Sequence, residues 1–154
     1  MKRLVAIIVL LALVACSSSV ETKEPTVVGN WVFVNQAGTA GTGITFRGDG
    51  SYTFLNMRLT SDKSANAEVE TGIYTDNGSA IVFTPQQYTC PGPDPIVTFP
   101  RSFSNGNLVF SLPSGVISLQ PNNAPPAESF VVVYGCFDNK TGAFTRAELS
   151  PVDN

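Results

Sequence analysis

The most regular feature of the chain is a series of short segments in which apolar and polar residues alternate. In residues 44–47 and 51–54 every second side chain is apolar, which gives each segment one apolar face, as in a half-buried β-strand. Glycine, asparagine, aspartate and proline separate these segments. No stretch shows the three- and four-residue spacing of an amphipathic helix over three turns. The pattern therefore predicts an all-β fold.

Ten segments rich in β-branched and aromatic residues are predicted as strands: residues 27–35, 44–47, 51–59, 67–75, 79–84, 96–104, 107–112, 116–119, 129–137 and 143–149. Tight-turn sequences at residues 48–50, 76–78 and 105–106 join neighbours as hairpins. The loops are predicted at residues 36–43, 61–66, 85–95 and 120–127. Sequential hairpins are typical of an up-and-down antiparallel β-barrel, here of about eight to ten strands.

The first sixteen residues have a different pattern. A basic start, Lys2 and Arg3, precedes an apolar run at residues 4–15, as in a secretory signal peptide. This run is shorter than the roughly 20 residues that a membrane-spanning helix needs. It ends in Leu-Val-Ala-Cys at residues 13–16, which resembles the lipobox of bacterial lipoproteins. The alternative is an ordinary signal peptide that leaves Cys16 as a free thiol.

The lipobox resemblance implies cleavage before Cys16 and acylation of this cysteine by a diacylglyceryl group and often an N-linked fatty acid such as palmitate. The chain then divides into a signal peptide (1–15), a lipidated flexible tether (16–26) and a barrel domain (27–150). We expect a protein of the bacterial cell envelope whose membrane contact is the lipid on Cys16. Ser17, which directly follows the lipidated cysteine, favours location of the protein in the outer membrane.

Charge and composition narrow the function classes. The chain has 9 basic and 12 acidic residues and no histidine. The acidic balance argues against a nucleic-acid partner, which needs a basic patch. The lack of histidine excludes histidine-based acid–base catalysis, Ser-His-Asp triads and histidine-ligated metals. We expect a monomer that is not an enzyme and has neither a cofactor nor a metal.

Two cysteines and two glutamates are the remaining candidates for chemistry. An oxidising compartment favours a disulfide between Cys90 and Cys136, with two free thiols as the alternative. Glu68 and Glu70 lie two residues apart on a predicted strand and so share a face. Paired carboxylates can perform acid–base work, but the same spacing is typical of a solvent-exposed strand face, which is the interpretation we favour.

Four short motifs together resemble one family: Gly29-Asn30-Trp31, residues 46–54 (FRGDGSYTF), residues 70–74 (ETGIY) and residues 105–108 (NGNL). In this order and spacing they are similar to the small bacterial lipocalin-like lipoprotein domains of the calycin type. The resemblance spans about residues 28–146. The chain lacks the Thr-Asp-Tyr motif and the C-terminal helix of secreted lipocalins.

The resemblance implies roles for Trp31 and Arg146. In lipocalins the tryptophan of Gly-x-Trp closes one end of the barrel, and an arginine near the last strand packs on it. Arg146 is placed for that role, which would join the first strand to the last. The alternative is that Trp31 is a plain core residue and Arg146 is solvated.

Aromatic residues dominate the predicted inward faces: Phe46, Tyr52, Phe54, Phe83, Phe99, Phe103, Phe110 and Tyr134. An eight-stranded barrel is just wide enough to be filled by side chains or to hold one small ligand. The rings therefore either line an apolar pocket or fill the core. A lined pocket predicts binding of a small apolar or amphipathic ligand. A filled core predicts an interaction or structural protein, or a protein inhibitor, that acts through loops 85–95 and 120–127.

Overall fold

The computed structural model describes residues 25–61, 63–90, 96–123 and 131–151. The predicted signal peptide, Cys16 and most of the predicted tether lie outside these residues. Among the described residues, no helix is long and apolar enough to span a bilayer. The strands are β1 Gly29–Val34, β2 Ala40–Phe46, β3 Ser51–Ser61, β4 Ser64–Asp76, β5 Ala80–Tyr88, β6 Val97–Ser104, β7 Asn107–Leu112, β8 Gly115–Pro121, β9 Val131–Phe137, β10 Phe144–Arg146 and β11 Ser150–Pro151.

The first eight strands form a closed barrel. Each pairs antiparallel with the next along the chain, and β1 pairs with β8 to complete the ring. The predicted all-β, up-and-down antiparallel barrel is therefore confirmed. The other three strands lie outside the ring: β9 pairs parallel with the first part of β4, β10 pairs with β9, and β11 pairs with the end of β5.

The predicted contact between Trp31 and Arg146 is wrong. Arg146 is exposed on β10, whereas Trp31 lies on β1, whose neighbours are β2 and β8. The Trp31 ring packs instead on Phe103, with 5.9 Å between centroids, and its Nε1 donates a hydrogen bond to the carbonyl oxygen of Val27 at 2.7 Å. The reason is that eight strands already complete the ring, so the last segments of the chain add to its outside.

The predicted loops are shorter than expected, because strands extend into them. Residues 40–43 belong to β2, residues 64–66 to β4 and residues 85–88 to β5. Gly41 allows β2 to approach β1 closely, since a Cβ atom there would lie 2.7 Å from the carbonyl oxygen of Phe33. Pro85 is tolerated because the register of β4 and β5 shifts beside it, between Thr71 and Gly72.

The barrel has a filled end, where the turns at residues 47–50, 77–79 and 105–106 lie. Phe46 packs edge-on against Tyr74, with 4.8 Å between ring centroids. Arg101 and Asp76 form a bidentate ion pair there, with the shorter contact at 2.7 Å. Burial, together with the charges of Asp76 and Asp49, raises the pKa of Tyr74. We call this half of the barrel the closed end and the opposite half the open end.

Aspartates at two turns accept hydrogen bonds from nearby residues. Asp49 accepts bonds from the Ser51 hydroxyl and backbone N–H at 2.7 and 2.8 Å, and these lower its pKa. Asp138 accepts bonds from the backbone N–H groups of Thr141 and Lys140 at 2.7 and 2.8 Å, which likewise lower its pKa. Local hydrogen bonding of this kind is the usual role of aspartate at a turn.

Substitution of Gly72 by alanine tests the closeness of β4 and β5. A Cβ atom at this position would meet the carbonyl oxygen of Thr84 and lie 2.9 Å from the Cα of Pro85. We expect Gly72→Ala to lower the free energy of unfolding by about 2 kcal/mol or more, because backbone atoms must move. The matched control is Gly48→Ala, since a Cβ atom there meets nothing within 4 Å. Urea denaturation measures both, and equal midpoints would contradict the strand packing described here.

Candidate ligand-binding cavity

A cavity of about 300 Å³ occupies the barrel interior and is partly open to solvent. Seven of the eight barrel strands contribute to its wall, and β1 contributes none of the lining residues. The lining is strongly apolar. Its members are Thr42, Ile44, Tyr52, Phe54, Glu70, Phe83, Val97, Phe99, Phe110, Leu112, Ile117 and Leu119.

The strand register explains why these residues meet. Residues directly opposite each other on neighbouring strands point to the same face of the sheet. Ile44 lies opposite Phe54, and Phe54 lies opposite Glu70. On the other side of the barrel Phe110 lies opposite Ile117. The alternation that predicts an inward apolar face therefore builds the cavity wall.

Aromatic rings form the base of the cavity. Phe83 lies among them, 5.0 Å from Tyr52, 5.9 Å from Phe99 and 6.1 Å from Phe110 between ring centroids. Phe46 packs 5.8 Å from Phe83 on the closed side and is 1% exposed. The interior is thus filled at the closed end and hollow towards the open end.

Of the eight aromatic residues predicted on inward faces, five line the cavity: Tyr52, Phe54, Phe83, Phe99 and Phe110. Phe103 packs instead on Trp31 beside the core. The structure places Phe46 behind the wall, in the core. Tyr134 does not face the interior, so its prediction as a cavity residue is wrong. It lies 49% exposed on β9, which runs outside the barrel beside β4. Alternation in β9 resembles that of a barrel strand, although the ring is already complete.

The interpretation of Glu68 and Glu70 as a solvent-exposed pair is also wrong. They do share a face, but that face is the inner one. Glu70 lines the cavity, and its Oε1 accepts a hydrogen bond from the hydroxyl of Tyr52. Glu70 is the only acidic residue in a lining that is otherwise apolar except for Thr42 and Tyr52, and the sequence alone did not indicate this position.

Glu68 lies outside the cavity and joins three parts of the fold. It is 9% exposed, and its Oε2 accepts a hydrogen bond from Asn56 Nδ2 at 2.9 Å. Its Oε1 accepts a hydrogen bond from the backbone N–H of Phe137 at 2.9 Å. This carboxyl group therefore attaches the end of β9 to the barrel.

The disulfide between Cys90 and Cys136 is confirmed, with the two Cα atoms 4.9 Å apart. The Sγ of Cys90 lies 3.3 Å from Glu68 Oε1. Two sulfurs and a carboxylate within 4.8 Å of one another have the composition of a metal site. Metals bind thiolates, however, and sulfurs joined in a disulfide are not thiolates. The group is a cross-linked junction between β9 and the segment after β5.

The pairing that closes the barrel is short. Among the described residues, β1 and β8 pair at Trp31–Pro121 and Val32–Gln120, both towards the closed end. β1 continues to Val34 and β8 begins at Gly115, so their open-end halves do not pair with each other. We call this line the β1–β8 seam. It lies beside the β8 wall of the cavity.

Substitution of Glu68 by alanine tests the junction. The change would leave the Phe137 N–H and the Asn56 amide without this acceptor, and each buried group so deprived costs about 1 to 3 kcal/mol. We expect Glu68→Ala to lower the free energy of unfolding by about 2 to 3 kcal/mol in urea denaturation. The control is Glu148→Ala at an exposed position, which should change stability little. Similar losses in both variants would contradict the junction.

No protein-family model, curated protein or solved structure matches the chain. The barrel is compatible with a lipocalin-like fold, and the evidence for that is its strand order, its register and its closure.

Proposed function

We propose that this chain is a lipid-anchored protein of the bacterial cell envelope that binds one small apolar or amphipathic ligand inside its barrel. The observation that supports ligand binding most is the apolar cavity of about 300 Å³, whose lining includes one acidic residue, Glu70. Largely apolar pockets with a few placed polar groups are the usual form of small-molecule sites. The proposed protein is a binder and performs no chemistry on its ligand.

The cavity volume limits the ligand. Small-molecule sites range from about 300 to 1,000 Å³, so this cavity is at the lower limit. A water molecule takes about 30 Å³ in the liquid, so the space corresponds to roughly ten such volumes. A ligand of about ten non-hydrogen atoms fits. Burial contributes about 0.8 kcal/mol per methylene group, which supports micromolar to millimolar affinity once the costs of association are subtracted.

The place where the chain enters the barrel bears on the proposed anchor. Val27 is 2% exposed in the core, and β1 starts at Gly29 at the closed end. The described part of the chain therefore enters the barrel at the closed end, opposite the cavity's open end.

A second candidate function has an observation of its own. Large apolar side chains are exposed at the open end: Val34 at 57%, Ile96 at 67% and Val116 at 69%. A contiguous patch of such groups is typical of a surface that meets another protein. The alternative is therefore an envelope interaction protein that acts through this end. It predicts a protein partner and no small ligand.

Filling the cavity tests the leading proposal. We expect octan-1-ol, which has nine non-hydrogen atoms, to bind the wild-type domain with a dissociation constant between about 1 µM and 1 mM in isothermal titration calorimetry. Ile117→Trp places a large ring on the wall and should weaken binding at least tenfold. Val116→Trp is the matched control, because the neighbouring side chain is 69% exposed. Circular dichroism verifies that both variants fold. Absence of octan-1-ol binding to the wild type, or an equal effect of the two variants, would reject ligand binding.

The anchor has a separate test. In a bacterial host that processes lipoproteins, the full chain should incorporate labelled palmitate and sediment with membranes. Cys16→Ser should abolish the label, because it removes the sulfur that receives the diacylglyceryl group. Ser17→Ala is the control and should keep both the label and the membrane association. Label that persists in Cys16→Ser would contradict lipidation at this residue.

A further inference from the structure

We propose that Glu70 makes the cavity selective for ligands with an apolar body and a protonated primary amine, of the alkylamine class. This inference rests on the proposed ligand-binding function and adds the chemical class of the ligand. The carboxyl group of Glu70 supplies the charge that such a head group pairs with. The hydrocarbon part would occupy the apolar remainder of the cavity.

The position of Glu70 is the first argument. It lies on β4 directly opposite Phe54 on β3 and opposite Tyr88 on β5, and its side chain forms part of the cavity wall. The carboxyl group accepts a hydrogen bond from Tyr52, which orients it.

The surroundings of Glu70 are the second argument. Apart from Glu70, Tyr52 and Thr42, the lining residues are apolar. A charge interacts more strongly in such surroundings than in water, because the local dielectric constant is lower. An ammonium group beside Glu70 would be attracted, and a ligand carboxylate would be repelled. The wall therefore discriminates against fatty acids of the same length as the favoured amine.

The aromatic rings are the third argument, and it is independent of Glu70. Phe54, Phe83, Phe99 and Phe110 all line the same cavity. The face of an aromatic ring carries partial negative charge, so it attracts cations and not anions. The chain as a whole has a formal net charge of −3, which favours the approach of cations. The carboxyl group of Glu70, the aromatic ring faces and the net charge of the chain therefore all favour a cationic ligand.

The test compares three ligands of equal chain length on the full-length wild-type protein. Octylamine is protonated at pH 7.5, since an alkylammonium group such as that of lysine has a pKa of about 10.4. Isothermal titration calorimetry should give octylamine an affinity at least tenfold above that of octan-1-ol, with octanoate the weakest of the three. Octylamine that binds no more tightly than octan-1-ol would overturn the inference.

Two variants test whether the preference for octylamine over octan-1-ol depends on the Glu70 side chain. Glu70→Gln keeps the shape and can still accept from Tyr52, so it should retain octan-1-ol affinity within about threefold and lose the preference for octylamine. Glu148→Gln removes one negative charge at an exposed position and should keep the preference. A preference that survives in Glu70→Gln overturns the inference.

The ligand comparison also separates this inference from the proposed function. If octan-1-ol binds and octylamine is not preferred, the cavity is a ligand site but the amine class is wrong. If none of the three ligands binds, the proposed function itself has failed. The wild-type comparison does not depend on the folding of any variant, so the inference stays testable even where Glu70→Gln is unstable.

Discussion

The number of strands in the ring sets the width of the barrel interior, and the cavity depends on that width. An eight-stranded barrel has an interior just wide enough for side chains, so the size of each inward residue decides whether a level of the barrel is solid or hollow. At the closed end Phe46, Tyr52 and Phe83 meet and fill the section. Towards the open end smaller side chains such as Thr42 and Val97 share the section, and the cavity remains.

Much of this arrangement follows from period-two alternation and turn chemistry. Alternation predicts the strands and assigns Phe54, Phe99 and Phe110 to one apolar face, and those three residues line the cavity. What alternation cannot supply is the number of strands in the ring. Tyr134 and Arg146 belong to segments with strand-like patterns that come after the ring has closed, so their predicted inward or closing roles failed.

The two glutamates of β4 show a second limit of pattern reasoning. In the first part of this strand both faces are buried: Ala67 is 0% exposed on one face and Glu68 is 9% exposed on the other. The alternation correctly predicts that Glu68 and Glu70 share a face. Because charged residues usually face solvent, it also suggests that this face is exposed, whereas it is the inner face. Only the partners, Asn56 and Phe137 for Glu68 and Tyr52 for Glu70, explain how carboxyl groups are accommodated inside.

The β1–β8 seam has a kinetic consequence. Its pairing at Trp31 and Val32 is the shortest between neighbouring strands of the ring, and it leaves the open-end halves of the two strands without mutual hydrogen bonds. Local opening follows the least-bonded joint of a structure. We therefore expect the ring to open first along this seam when it opens locally.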